Sequence, residues 1–235
     1  MKFRLIISSI CLVGLLGTLS ASGNTLEADS LFAAKKYTEA YELYELIYLD
    51  GNASPAMLTK MAFIQEGLQN HEKALFFLSK YYELTSNKKA LRKMAELAES
   101  NHLTGYEYAD TEFLLNIIHR QKALILLISA TLCLFILFLA WRKKNRNESM
   151  ALPGIFQAIV LSWMLMVIND FFIRDKAIIW SERTLLMDGP SGAAEPLEIV
   201  QKGHKVTILE EADAWLKIEW NNQEAFIRKT KVRVI

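Results

Sequence analysis

The sequence predicts a multi-domain membrane protein: an all-α helical repeat, then a two-helix transmembrane hairpin, then a C-terminal all-β barrel. Three observations carry this reading. Two long apolar blocks lie close together, at about 124–141 and 152–172, with a cluster of cations between them. Residues 25–120 are rich in Ala, Leu, Glu, Lys and Tyr and contain one proline, a helical composition. From Ala177 onward, β-branched and aromatic residues alternate with polar ones between turn signals. The chain is 52% hydrophobic yet 23% charged, so apolar and charged blocks must be segregated. A net charge of +1 gives no reason to expect nucleic acid or a polyanionic substrate. The two cysteines, Cys11 and Cys133, both fall in apolar runs and offer the soluble parts no disulfide framework.

The amino terminus is read as a signal peptide over residues 1–22. Lys2 and Arg4 precede an apolar run from Leu5 to Leu16, and small residues follow through Ser20-Ala21-Ser22. The run is shorter than the roughly 20 residues a spanning helix needs. Cleavage and retention as an anchor both export the next segment. Cys11 follows Ser8-Ser9-Ile10 inside the apolar core, a poor setting for lipid attachment.

Residues 23–121 form the expected helical repeat domain. Tyr37-Thr38-Glu39-Ala40 leads to Leu43 and Tyr44, and His71-Glu72-Lys73-Ala74 leads to Phe77 and Leu78. Ala40 and Ala74 are 34 residues apart. Asn52-Ala53-Ser54-Pro55 breaks the chain between the units, with Ser54 placed to cap a helix that Pro55 starts. The period and the signature Tyr37, Ala40, Tyr44, Ala74 and Leu78 resemble the tetratricopeptide repeat family, without the tryptophan and glycine favoured in its first helix. A third unit can be drawn as Lys88–Ser100 and Glu107–Arg120. There Leu91, Ala95 and Ala98 repeat Met57, Met61 and Ile64, and Tyr108 takes the small-residue position. Its last helix is expected to run into the first span near Lys122. The resemblance implies a groove for peptides or proteins. Tyr37, Tyr41, Tyr44, Tyr48, Tyr81 and Tyr82 serve either that groove or plain packing.

The apolar blocks give transmembrane helices at 122–141 and 152–173, with a cytoplasmic loop at 142–151. The first has no charge from Leu124 to Trp141, and its Leu, Ile and Phe side chains favour insertion by several kcal/mol, at roughly 0.3–0.6 each. In the second, Gln157, Asn169 and Asp170 are the strongly polar members. Arg142, Lys143, Lys144 and Arg146 mark the cytoplasmic side, as the signal's own cations do independently. Both soluble segments are therefore expected outside the cytoplasm.

Residues 176–235 form the expected barrel. Val206 and Ile208 alternate with Lys205 and Thr207, and Leu216 and Ile218 with Lys217 and Glu219. Turn signals fall at Asp188–Gly192, Lys202-Gly203 and Asn221-Asn222. Gly189-Pro190-Ser191, Lys202-Gly203-His204-Lys205-Val206, Trp215-Leu216-Lys217-Ile218 and Glu224-Ala225-Phe226-Ile227 together resemble the bacterial Src-homology-3-like (SH3b) family. Ala225-Phe226 stands where that family usually has Gly-Trp. The likeness places Trp215 at the groove tryptophan of peptide-binding members. Arg228 and Lys231 replace the groove proline and tyrosine, so proline-rich recognition is not expected. Trp215, Trp220 and Phe226 make the candidate binding surface: Trp215 and Trp220 either meet cell-wall peptides, as related barrels sometimes do, or simply pack on the barrel. Residues 173–176 would tether the barrel within about 10 Å of the span. Arg228, Lys229, Lys231 and Arg233 then either face lipid headgroups or form a solvated edge.

No motif for catalysis, cofactor or metal is found. His71, His102, His119 and His204 are scattered, and no phosphate loop, dinucleotide fingerprint or nucleophile elbow occurs. Glu210, Glu211 and Asp213 read as a solvated hairpin, and Asp170 as an interfacial acid or, in a transporter, a pathway carboxylate.

The order of signal, repeats, paired spans and terminal barrel resembles the BatE-type proteins of the Bacteroidota aerotolerance operon. That likeness implies an envelope assembly linked to oxygen or stress tolerance. The expected function is a non-enzymatic adaptor in the bacterial inner membrane, multi-pass, with both soluble domains periplasmic. Its partners would be the lipid bilayer, other envelope or membrane proteins and, in one alternative, peptidoglycan. A cell-wall sensor and a small transporter or signalling subunit are the competing readings.

Overall fold

The computed structural model describes residues 25–107, 110–146, 149, 151–171 and 174–235. The expected signal at 1–22 and the degenerate repeat position Tyr108 lie outside the described residues. The chain divides into two compact units, one ending at His102 and one made mainly of Leu103–Ile235.

In the first unit, residues 25–33 form helix α1, followed by α2 (Tyr37–Leu49), α3 (Pro55–Gly67), α4 (His71–Thr85) and α5 (Lys88–Ser100). The start of α3 is as the sequence dictates: the Ser54 side chain accepts from Met57 N at 3.2 Å, and Pro55 occupies the first turn. The α1–α2 and α3–α4 turns pass through left-handed residues Lys35 and Gln69, again 34 apart. Each helix of the first two pairs buries a small residue. Ala28, Ala40 and Ala74 are fully buried and Ala62 is 3% exposed. Ala28 and Ala62 are also 34 apart. A longer side chain at a helix–helix contact would push helix axes beyond the usual 8–10 Å. Leu58, Met61 and Leu75 are fully buried beside them, each contributing about 1.5–3 kcal/mol.

The third unit departs from the expected register. Ala90, Met94, Leu97 and Ala98 are the buried residues of α5. They lie 33, not 34, after Met57, Met61, Ile64 and Gln65, so Leu91 and Ala95 are only half-buried. The cause is local: α2 and α3 start 18 residues apart (55 − 37), but α4 and α5 start 17 apart (88 − 71). Ser86, in left-handed conformation, makes that turn tight.

The second unit contains α6 (Asp110–Arg120), α7 (Lys122–Asn145) and α8 (Ala151–Ile168). Gln121 separates α6 from α7 with φ −94° and ψ 13°. Helical hydrogen bonds still bracket it, from Gln121 N to Ile117 O and from Ile125 N to Gln121 O. The last helix thus runs into the first apolar one, as expected. Helices α7 and α8 are long and apolar enough to cross a membrane, at about 36 and 27 Å for 1.5 Å per residue. They pack antiparallel, with Ser129 and Val167 buried between them and Gln157 Nε2 donating to Cys133 Sγ. Their boundaries differ from expectation. The first continues past Trp141, so Arg142, Lys143 and Lys144 form its last turn rather than a loop. There they also favour the negative end of the helix dipole. The second ends at Ile168, where Asp170 turns the chain left-handed at φ 48°.

The all-β segment is one seven-stranded antiparallel sheet: β1 (Lys176–Ile179), β2 (Thr184–Met187), β3 (Pro196–Val200), β4 (Lys205–Ala212), β5 (Trp215–Trp220), β6 (Gln223–Arg228) and β7 (Val232–Val234). Strand order is β3-β2-β6-β5-β4-β1-β7. Val206, Ile208, Leu216, Ile218, Ala225 and Ile227 share one core cluster with Ala177, Ile179, Leu186 and Val200. Residues from six strands meet in one cluster, so the sheet curls around its apolar face. Asn221 and Asn222 both have positive φ, the two-residue turn that matches strand twist.

Candidate functional site

The repeat signature is structural. Tyr44 is fully buried, and its hydroxyl donates to Asp29. Burial and that hydrogen bond push the Tyr44 phenol well above its ordinary range. Tyr41 and Tyr48 pack edge-on against Phe77, and Leu78 is 8% exposed. Burial opposes ionisation of Asp29, but the hydrogen bonds from Lys60 and Tyr44, with the Lys60 charge, outweigh it and hold the carboxyl below its usual range. Lys60 Nζ lies 2.7 Å from Asp29, and Lys93 Nζ lies 2.6 Å from Glu66. These lysines, 33 apart, tie α3 to α1 and α5 to α3, but their acids are 37 apart, so the two pairs are not at equivalent places. The sequence reading missed both pairs, although the 33-residue lysine spacing was available as a signal.

Tyr37 is the exception among the signature residues. With Phe32 and Phe63 it forms a triangle of edge-on rings at 5.4–5.9 Å. Phe63 is 54% exposed. Lys60 Nζ sits 5.6 Å from the Phe32 centroid, a cation over a ring face. This is an open aromatic patch on the helical unit, built from α1, α2 and α3.

The proposed sheet surface does not hold together. Side chains alternate across a strand, so Trp215 and Trp220, five residues apart, point to opposite faces. Trp220 packs against the core cluster, stands edge-on to His204 at 5.3 Å and donates from Nε1 to Glu198 at 2.7 Å. Trp215 faces outward, with the Arg228 guanidinium 5.2 Å over its ring. Phe226 is on that outward face too, opposite Lys217. Trp215 and Phe226 therefore share a surface from which Trp220 is excluded. The register of β5 with β6 decides this.

A strap before α6 contacts the sheet. Leu103–Glu107 lies along the β3–β4 turn: Lys205 N donates to Thr104 O at 3.1 Å, and Tyr106 Oη to Gly203 O at 2.7 Å. Tyr106 is 6% exposed, and burial pushes its phenol far above the ordinary range. His204 Nδ1 accepts from Thr104 N at 3.1 Å. Burial lowers the His204 pKa, against the opposing charge of Glu198. Gly105, at φ +86°, comes so close to Lys205 that an added Cβ would overlap its carbonyl oxygen. Nothing in the amino-acid pattern announced this strap.

At the other end of α6, Lys122 Nζ reaches Asp170 Oδ2 at 2.6 Å and Ile168 O at 2.8 Å, and His119 Nδ1 lies 3.2 Å from Asp170 Oδ1. Asp170 thus pairs with the Lys122 cation and touches the His119 ring at the end of the hairpin. Only residues 171–174 separate it from Asp175, whose carbonyl accepts from Ile208 N. The stretch of chain from Asp170 to Asp175 can reach at most about 17 Å. Among the described residues, no three His, Cys, Asp or Glu side chains gather as a metal site would need.

No protein-family model, curated protein or solved structure matches this chain.

Proposed function

We propose that this protein is a membrane-anchored, non-enzymatic adaptor of the cell envelope, with tetratricopeptide-like helical pairs and an SH3-like barrel presented to the periplasm. The observation that carries the reading is the Phe32–Tyr37–Phe63 patch, whose Phe63 is 54% exposed while Tyr41, Tyr44, Phe76 and Phe77 of the same unit are buried. Exposed aromatic clusters are what protein interfaces use as anchors. The anchor is the α7–α8 hairpin, and the basic last turn of α7 supports a cytoplasmic turn. That orientation leaves both soluble segments on the periplasmic side of an inner membrane. A place in a BatE-type aerotolerance assembly fits the order of these parts.

The test is a photo-crosslinking residue at Phe63 in the full chain, in native membranes. The adaptor reading expects a discrete protein adduct that a probe at exposed Glu42 does not give. Equal adducts at the two positions would count against it. Labelling of Ser149→Cys and Asn222→Cys by an impermeant thiol reagent tests topology: Asn222 should react from the periplasm and Ser149 only after the membrane is opened.

A further inference from the structure

The cleft between α7 and α8 is apolar along its length and basic at its mouth. It has a volume of about 650 Å³. Leu132, Phe135, Ile136 and Leu139 line it from α7, at the i, i+3, i+4, i+7 spacing of one helix face; Phe156 and Val160 line it from α8. The same α7 face continues into Arg142, Lys143 and Arg146, which also line the cleft. Residues 142–150 carry these cations and Lys144 against one acid, Glu148. The first turn of α8, at Leu152 and Pro153, borders the same opening and adds the positive end of a helix dipole.

From Leu132 to Arg142 the cleft is about 15 Å deep at 1.5 Å per residue. Half of a hydrocarbon core of about 30 Å is the same depth. An occupant must therefore be apolar for one leaflet's thickness and anionic where that leaflet meets water. A phospholipid with an anionic headgroup has both properties in that order. A zwitterionic lipid fits the apolar part but gains less from the cations. We infer that the α7–α8 cleft is a binding site for an anionic glycerophospholipid of the cytoplasmic leaflet, with acyl chain between the helices and phosphate at Arg142 and Arg146. The inference rests on the membrane reading above and adds a ligand to it.

Native mass spectrometry of the full-length protein in mild detergent, with equal phosphatidylglycerol and phosphatidylcholine, tests it. The expected result is preferential retention of phosphatidylglycerol. Arg142→Gln with Arg146→Gln should weaken that preference by about five-fold per charge removed. Leu139→Trp, which fills the cleft and leaves the charges, should reduce retention of both lipids. Equal retention of the two lipids by the wild type, or an unchanged preference in the arginine variant, would overturn the site. Carbonate extraction and the Ser149→Cys labelling are read alongside. A protein that stays in the membrane with Ser149 cytoplasmic yet shows no lipid preference removes only the lipid site. A protein extracted by carbonate removes the membrane reading and the site together.

Discussion

Lys122 Nζ, in the first turn of α7, lies 2.6 Å from Asp170 Oδ2 and also donates to the carbonyl of Ile168 at the end of α8. One side chain thus caps the C-terminus of its neighbour helix and neutralises the acid that follows it. Because both groups are partly exposed, the pair is worth at most about 1 kcal/mol. Lys122→Ala and Asp170→Asn should each lower the melting temperature in detergent, and the double variant should lose less than the sum. Asp170→Asn should leave ion flux through reconstituted vesicles unchanged; altered flux would revive the transport reading.

Removing the Tyr106 hydroxyl leaves the Gly203 carbonyl without its buried donor. Tyr106→Phe is expected to destabilise the strap by about 1–2 kcal/mol, seen as faster amide exchange at Lys205. Gly105→Ala should be more severe, since both the positive φ and the Lys205 carbonyl exclude a Cβ. Protection at Lys205 would be lost while that of β5 and β6 persists.

The strap should also respond to acid. Neutral His204 accepts from Thr104 N at Nδ1, 3.0 Å from Thr104 Oγ1; the imidazolium has no free lone pair there, loses the backbone bond and keeps only the hydroxyl as acceptor. Its folded pKa lies below the ordinary 6.5, so between the two values the unfolded or undocked chain holds the extra proton. The contribution is complete above about pH 6.5 and is lost as pH falls through the folded value. Glu198 and the Trp220 ring also face His204, and Glu198 limits the effect. Amide exchange at Lys205 should accelerate on acidification in the wild type and lose that dependence in His204→Gln.

Gln69 holds a left-handed conformation after α3 at φ 61°. Glycine adopts it without the Cβ clash, at some entropic cost. Gln69→Gly is expected to stabilise the helical unit by about 0.5 kcal/mol, by denaturant midpoint.

Overpacking the hairpin contact should do the opposite. Ala40→Leu or Ala74→Leu forces a larger group between helices already in contact and should cost about 1–3 kcal/mol. Circular dichroism melts would show it; an unchanged melt would mean that these alanines do not set the helix spacing.

Much of the fold was legible because its signals are local. Ser54-Pro55 starts α3 through one cap and one fixed dihedral. The alternation in Lys205–Ile208 and Leu216–Glu219 reappears as buried and exposed faces of β4 and β5. The third helical unit slipped by one residue because helix and turn lengths compensate incompletely, which a fixed period does not encode. The candidate site fared worse. Trp215, Trp220 and Phe226 are near in sequence and all aromatic, but strand parity divides them.

By itself, the sequence determined that helical pairs come first, two membrane-length apolar helices next and an antiparallel β segment last. Those outcomes follow from hydropathy, period and turn chemistry, which act over a few residues. Tertiary structure alone decided that Lys122 meets Asp170, that Tyr106 straps onto Gly203 and that Phe63 remains open beside Phe32 and Tyr37. Each depends on which faces of distant elements come together, and pairings 48, 97 or 31 residues apart leave no periodic trace in the chain.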